Sequence, residues 1–379
     1  MMNPSPLISI EGEPFERGRQ YGVKAKKPII RNLKIYRTLF RRHAKLTWGD
    51  ILKLAGDVIP FIEEYDEDIM EEIRGISSGA GVTVRDIIAL NSRYDILPSS
   101  TVLKALGGCT SFAATGEATS SGHLLMGQNW DFRFIFKESC VLLHVRQTDG
   151  KPDILTHVEA GLVGHRGINS TGLGLCVNAL FSRDDAPLRP GTPLISVVSR
   201  GILNSKSLDE ALNAVDRAER VVSINFLVGR AGEGALDFEV TPGRISVLRP
   251  HSGLIAHANN FLSEEFASSD LAPKISPSSP ARYSRAMEIM LSECGKIGVK
   301  TLKRLTRDHS NHPYEICRHP DLEADEYERA GTVKAIIMDL DEGKLWVSDG
   351  PPCMNEYRTL IPFGGEGPKW GDMDVRATG

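Results

Sequence analysis

Gly107-Gly108-Cys109-Thr110-Ser111 is the stretch of this chain best equipped for chemistry. A thiol works as a nucleophile only with a base at hand. Cutting the peptide bond between Gly108 and Cys109 supplies that base on the same residue. The freed α-amine has a pKa of roughly 8, near the neutral range where a general base works best, whereas a lysine amine sits at roughly 10.4. Two glycines ahead of the thiol accept backbone conformations closed to other residues, which suits a scissile bond held in a tight, strained turn. The Cys109 thiol attacks the Gly108 carbonyl, and water resolves the thioester. A second polar group follows at Gly127-Gln128-Asn129-Trp130-Asp131-Phe132. Residues 109–114 and 123–130 read as two strands joined by a polar turn from Gly116 to Gly122. Such a hairpin brings the end of its second strand back beside the start of its first. Asp131 is then placed to hydrogen-bond the thiol or the new ammonium. Thr110, Ser111 and Asn129 are supporting candidates, with Thr110 and Ser111 adjoining the scissile bond. Trp130 reads as packing or a pocket wall.

These motifs resemble the acyl-coenzyme A:6-aminopenicillanic acid acyltransferase family, the isopenicillin N acyltransferases and their relatives among peptidase C45-type N-terminal-nucleophile hydrolases. The likeness extends to Phe15-Glu16-Arg17-Gly18 with Tyr21-Gly22, to Glu72-Ile73-Arg74-Gly75-Ile76 and to Leu90-Asn91-Ser92-Arg93. It continues at His257-Ala258-Asn259-Asn260 and Ile316-Cys317-Arg318. The resemblance implies a zymogen that cuts itself before Cys109. It also implies the four-layer αββα sandwich of that hydrolase class. Asn259 follows the apolar run Leu254-Ile255-Ala256, where its amide N–H can stabilise the oxyanion of a tetrahedral intermediate. The likeness to the family's His-x-Asn motif favours Asn259 over Asn260. Arg318 matches the arginine of the family's Ile-Cys-Arg motif, and a guanidinium there would favour thiolate or bind a substrate carboxylate. By analogy, Asn178-Ala179-Leu180 falls near the acyl pocket.

The elements expected to carry these residues form an α+β chain. Residues from about 13 to 95 follow a helical period. Short strands follow from Cys109 to Val177, a helical section from about Pro193 to Ala218, and more strands from Ser223 to His257. Residues 263–280 read as a loop rich in Ser and Pro. Two helices, near Arg282–Cys294 and Thr301–Asp308, precede a last hairpin from Val333 to Ser348. The organisation expected is an N-terminal helical segment, 1–108, and a strand-rich catalytic segment, 109–379, folded together as one domain.

At 379 residues, with 41% hydrophobic and 25% charged residues, the composition is that of a soluble globular protein. A net charge of −4 argues against a nucleic-acid partner. No apolar run approaches the ~18 residues of a membrane helix. No secretory signal is evident, and the 6 cysteines show no CxxC spacing. A cytoplasmic location is therefore expected. His309-x-x-His312 lacks a partnered Glu or Cys pair, so neither a metal nor a cofactor is expected. The expected activity is cleavage or transfer of acyl groups at the amide C–N bonds of small N-acyl compounds, through an acyl-Cys109 intermediate. The cleaved N-terminal segment is the expected heterodimer partner. Acyl-CoA-dependent N-acyl transfer of the penicillin acyltransferase type, with acyl-CoA as a substrate, is the alternative. A non-catalytic binding scaffold of the same fold is the other.

Overall fold

The computed structural model describes residues 4–96, 108–185, 189–313, 315–364 and 368–373; Gly107 lies outside them. Their strands, in chain order, are β1 (Leu7–Gly12), β2 (Thr110–Ala114), β3 (Leu125–Arg133), β4 (Cys140–Gln147), β5 (Ile154–Glu159), β6 (Gly167–Asn169), β7 (Leu173–Ala179), β8 (Ile224–Arg230), β9 (Gly234–Val240), β10 (Ile245–Leu248), β11 (Leu254–His257), β12 (Ala330–Asp339), β13 (Lys344–Asp349), β14 (Arg358–Ile361) and β15 (Lys369–Met373). They form two sheets, one ordered β1-β4-β5-β6-β7-β8-β9-β10 and the other β11-β2-β3-β12-β13-β14-β15.

Strand alternation divides the apolar residues among three cores. Ala113, Met126 and Ile336 of the second sheet meet Leu142, Cys176 and Leu227 of the first in the sandwich interior. Phe112, Ala114, Leu125 and Ile337 point the other way, against Ala286, Met290, Leu302 and Leu305 of the helices Ser279–Leu291 and Val299–Thr306. On the far face of the first sheet, Val141, Leu143, Val158 and Val177 pack with residues of the N-terminal helices and of Leu208–Asp216. The result is four layers, helix, sheet, sheet, helix, as the resemblance implied.

The N-terminal helices owe their place to close approach and buried charge. Pro14–Lys24 and Glu67–Ala80 cross in contact, and a Cβ on Gly18 or Gly75 would strike the partner helix's backbone carbonyl. Arg17 and Arg200 both pair with the buried carboxylate of Glu72, Arg200 at 2.9 Å. Glu159 of β5 accepts from the Tyr36 hydroxyl at 2.6 Å and pairs with Arg93. The motifs that carried the family likeness thus hold the N-terminal helices to one another and, through Arg93, to the first sheet.

The structure adds strands that the sequence reading left out. Only six residues long, β1 lies ahead of the helices and pairs parallel to β4 across more than a hundred residues. No local hairpin announces such a pairing. The strands β5, β6, β14 and β15 were also not foreseen. The Ser/Pro-rich stretch holds the short helical turns Glu264–Phe266 and Ala272–Ile275.

Candidate active site

The hairpin expected from the sequence is present. Antiparallel pairing of β2 and β3 sets Thr110 opposite Asn129, and Cys109, Trp130 and Asp131 lie just beyond that pair. Cys109 is buried, and burial first and the Asp131 charge second push its thiol up to about 11. Arg166, Arg282 and a backbone hydrogen bond from Asp131 favour the thiolate. They do not overcome burial. In the intact chain this cysteine is therefore held as a thiol at neutral pH and needs a base.

Asp131 is buried, and its Oδ1 accepts a 2.6 Å bond from the Thr332 hydroxyl on β12. Among the described residues its Oδ2 has no hydrogen-bond partner. Burial pushes the carboxyl up to about 7, against the Thr332 bond and the charges of Arg282 and Arg318. An unpaired buried carboxylate oxygen is costly unless a donor is to arrive there. Thr332 also accepts from the Arg318 backbone N–H at 2.9 Å, so one hydroxyl ties Arg318 to Asp131. The β3–β12 ladder is irregular at Thr332, where a bulge re-aims the strand. Arg318 is half-buried, and among the described residues its guanidinium forms no ion pair.

Asn259 is held from three sides. Its backbone N–H donates to Ser279 Oγ at 2.6 Å, its Oδ1 accepts from Arg282 at 2.7 Å, and its Nδ2 donates to the Ala179 carbonyl at 2.9 Å. The arginine fixes which way the amide points. One amide hydrogen is committed to Ala179, and the second remains for another acceptor. Asn260 instead accepts from Ser279 at 2.6 Å. Asn129 does not reach the thiol. Its Nδ2 bridges the carbonyls of Thr306 and Ile316 at 2.8 and 3.0 Å, clamping the segment that leads into Arg318.

Sequence reasoning missed Arg282. This buried residue donates to the Cys109 carbonyl, to Thr110 Oγ1 at 2.9 Å and to Asn259 Oδ1, joining three candidate residues through one guanidinium. Burial lowers it to about 10, which still leaves it cationic at neutral pH. One signal was present: Arg282 shares the buried stripe of its helix with Ala286, Ile289 and Met290, where a charged side chain needs a reason to be. Arg166 was also missed. It lies 4.1 Å over the Trp130 ring and 2.7 Å from His157 Nδ1, and Cys109 contributes to its electrostatic environment.

Gly108 needs space. Its φ is not in the left-handed region, and Gly107, the other glycine of the expected turn, lies outside the described residues. A Cβ there would lie 2.6 Å from Arg282 Cζ and 2.9 Å from Asn259 Oδ1. The Arg282–Asn259 pair packs directly against the backbone preceding the thiol.

Asn178 lies beneath the nucleophile strand. It donates to Ser111 Oγ at 2.6 Å and to Asn225 Oδ1 at 3.1 Å, and accepts from Gln128 at 2.7 Å. His257, at the end of β11, pairs with buried Glu239 at 2.8 Å. Burial opposes its charge, but Asp237 and Glu239 outweigh that and lift it to about 9. Glu239 also accepts from the backbone of Ser263 at 3.0 Å, fixing the loop that carries Asn259.

Comparison with known proteins identifies the family. The acyl-coenzyme A:6-aminopenicillanic acid acyl-transferase family profile matches residues 118–352, more than half of the chain. The chain belongs to this family. It is similar to the acyl-coenzyme A:6-aminopenicillanic-acid-acyltransferase 40 kDa form of Emericella nidulans, 32% identical over 317 residues, 82% of this chain and 84% of that one. It is 24% identical over 260 residues to acid ceramidase of Rattus norvegicus, 62% of each chain. Among solved structures it is similar to a variant of conjugated bile acid hydrolase from Clostridium perfringens, with a TM-score of 0.45 and 11% identity over 64% of this chain and 89% of that one. The family is one of acyl-transferring enzymes. Among the described residues, no helix is long and apolar enough to cross a membrane.

Proposed function

We propose that the chain is a self-processing cysteine enzyme that cuts itself between Gly108 and Cys109 and then cleaves or transfers acyl groups at amide C–N bonds of small N-acyl compounds. The observation that carries this reading is Cys109 itself. It opens β2, is buried, and lies in the field of Asp131, Arg166 and Arg282 with its thiol held protonated. Cleavage places an α-amine with a pKa of roughly 8 on the same residue. The amine takes the thiol proton, and the new ammonium meets the unpaired Oδ2 of Asp131. The thiolate attacks the substrate carbonyl, and the second Asn259 N–H steadies the oxyanion. Expulsion of the amine leaves an acyl-Cys109 intermediate. Water resolves it in hydrolysis, and an acceptor amine resolves it in transfer. Acyl-CoA would load the same thiol, with coenzyme A as the leaving thiol. Arg318 faces a substrate carboxylate or the thiolate, and Thr110 helps hold the scissile bond through Arg282. No cofactor is needed for either half-reaction. The segment 1–108 stays bound after cleavage, since its apolar faces and its Glu72 and Arg93 ion pairs are satisfied by the segment 109–379. A reducing cytoplasm suits the thiol.

Intact-mass analysis and N-terminal sequencing of the purified protein test the processing. Pieces of about 12 and about 30 kDa are expected from the total of 41.6 kDa, the larger beginning Cys-Thr-Ser. An active protein that remains full length rejects the mechanism. A screen of the processed protein with N-acyl amines and acyl-CoA thioesters tests the chemistry. A protein that stays uncleaved and neither hydrolyses nor transfers any of them is the binding scaffold of the alternative reading.

A further inference from the structure

We propose that His309, Cys317, His319 and Cys353 form a structural zinc site that anchors the loop bearing Arg318. Their ligand atoms all lie within 4.8 Å of one another. The two imidazoles face each other, Nε2 to Nε2, at 3.0 Å. His319 Nε2 also lies 3.1 Å from Cys353 Sγ, and the two sulfurs are 3.6 Å apart. A tetrahedral zinc with bonds of about 2.3 Å to sulfur and about 2.0 Å to nitrogen has ligand–ligand edges of about 3.3 to 3.8 Å. The three shortest edges reach that range with side-chain shifts of a few tenths of an ångström, and the others, all within 4.8 Å, with shifts of up to about an ångström.

Hydrogen bonding alone explains this convergence poorly. Two imidazole nitrogens can share only one proton, and a thiol is a weak donor. Two nitrogens and two sulfurs pointing at one spot are the soft, borderline donor set that zinc prefers over calcium, magnesium or manganese.

The ligands come from three chain segments. His309 follows the helix Val299–Thr306, and Cys317 and His319 alternate along the stretch before β12. Cys353 lies in the turn after β13, where the Pro351 carbonyl accepts from the backbone of Met354 at 3.0 Å. Separation along the chain hid the set. The sequence reading weighed His309 with His312, but residues 309–313 are not helical and the one-turn spacing does not bring those rings together. His312 turns to Glu315 at 3.2 Å, and His309 meets His319 instead.

Four protein ligands leave no open position, so the ion's role is to hold structure. Arg318 lies between two of the ligands, and its backbone N–H is bound by the hydroxyl that bonds Asp131. Zinc would tie the helix end, the Arg318 loop and the β13 turn into one unit beside the active site.

The test uses the full-length protein, purified without a polyhistidine tag and dialysed against buffer before metal analysis. About one zinc per chain is expected. Exchange with cobalt(II) should give the intense visible bands and thiolate charge transfer of a tetrahedral mixed nitrogen–sulfur site. Zinc should slow alkylation of Cys317 and Cys353 about tenfold or more relative to chelator-treated protein, because a coordinated thiolate is a poor nucleophile. His309→Ala changes an exposed side chain and should abolish stoichiometric zinc without unfolding the protein. Cys109→Ala and Cys294→Ser should keep the zinc, which separates this site from the nucleophile and makes the result independent of the proposed reaction. The proposal is overturned by any of three results: no zinc bound, zinc retained at full stoichiometry in His309→Ala, or a Cys317–Cys353 disulfide in the isolated protein.

Discussion

Two rows of residues lie two positions apart on the same strands, facing the same interlayer space, and differ completely in character. Ala113, Met126, Cys176 and Leu227 form an apolar row at the centre of the sandwich. Two residues along, Ser111, Gln128, Asn178 and Asn225 form a polar row whose side chains hydrogen-bond from one sheet to the other. Two residues further on β2 and β3 stand Cys109 and Trp130. Burial is nearly complete throughout, so exposure does not explain the change. The apolar row contributes stability by leaving water. The polar row is fully buried and amide-rich, and it specifies how the two sheets register against each other. At the strand ends stand groups that cost stability, a thiol with an elevated pKa and a carboxyl with an unpaired oxygen, and two buried arginines, one from a helix, reach in beside them. The sandwich centre holds the fold together, and the strand ends draw on that stability for chemistry.

The largest effect should come at the end of β2. Cys109→Ala should leave a single uncleaved chain with no turnover, seen by intact mass and by substrate assay. Alanine gives up only the weak bond that the sulfur accepts from the Asp131 backbone, so the variant should melt within a few degrees of the parent. If cleavage persists in this variant, the strand end is not where the chain cuts itself.

Asn259→Ala comes next. The amide is aimed at an oxyanion absent from the ground state, so kcat should fall roughly 10²–10³-fold while KM changes little. Turnover must be measured on the cleaved fraction, since the same site serves self-cleavage. A processed variant with near-normal kcat and a raised KM would move Asn259 from the oxyanion to substrate binding.

The centre of the sandwich should respond in the opposite way. Leu227→Ala removes a fully buried side chain and should cost about 2–5 kcal/mol of stability, read from denaturant unfolding. At temperatures where the variant is folded, kcat should match the parent. A drop in kcat at full folding would show that packing at the centre reaches the nucleophile, and the contrast between the rows would fail.

The same contrast governs what the sequence disclosed. The hairpin of β2 and β3 was legible because its pairing is local and its turn chemistry strong. The helices Ser279–Leu291 and Val299–Thr306 were legible from their apolar period. Asp131 was placed from the hairpin, whereas Asn259 and Arg318 were singled out with the help of the family likeness. Arg282 and Arg166 were not found, because each reaches the site from an element distant in sequence and no spacing rule links them to Cys109. The parallel pairing of β1 with β4 and the approach of Cys353 to His319 escaped for the same reason. Long-range closure leaves no local signature. At Gly108 the structure adds a reason for glycine that no sequence pattern carries, the close approach of Arg282 and Asn259.

The smallest predicted effect concerns Asp131 and acts on stability through pH. In the uncleaved chain its carboxyl is raised to about 7, chiefly by burial. In the unfolded chain it titrates at about 3.9. Between those values the folded state holds a proton that the unfolded state has released, so this group makes stability fall as pH rises from about 4 to about 7. Below that window it contributes nothing, and above it the penalty is constant. Asparagine cannot ionise, has almost the same shape, and still accepts the Thr332 hydroxyl bond. Introduced into Cys109→Ala, where no new ammonium can form to reward the charge, Asp131→Asn should therefore raise the melting temperature at pH 8 relative to Cys109→Ala alone. The difference should shrink steadily toward pH 4, where the two proteins should melt together. Introduced alone, the same change should slow self-cleavage and lower kcat in whatever fraction matures. Gain in stability with loss of chemistry at one atom is what a strand end built for function requires. A melting difference that is flat across pH would mean that Asp131 is ordinarily ionised in the fold. Unchanged processing and turnover would make it a structural residue of β3, and the strand end would then depend on Arg282 and Asn259 alone.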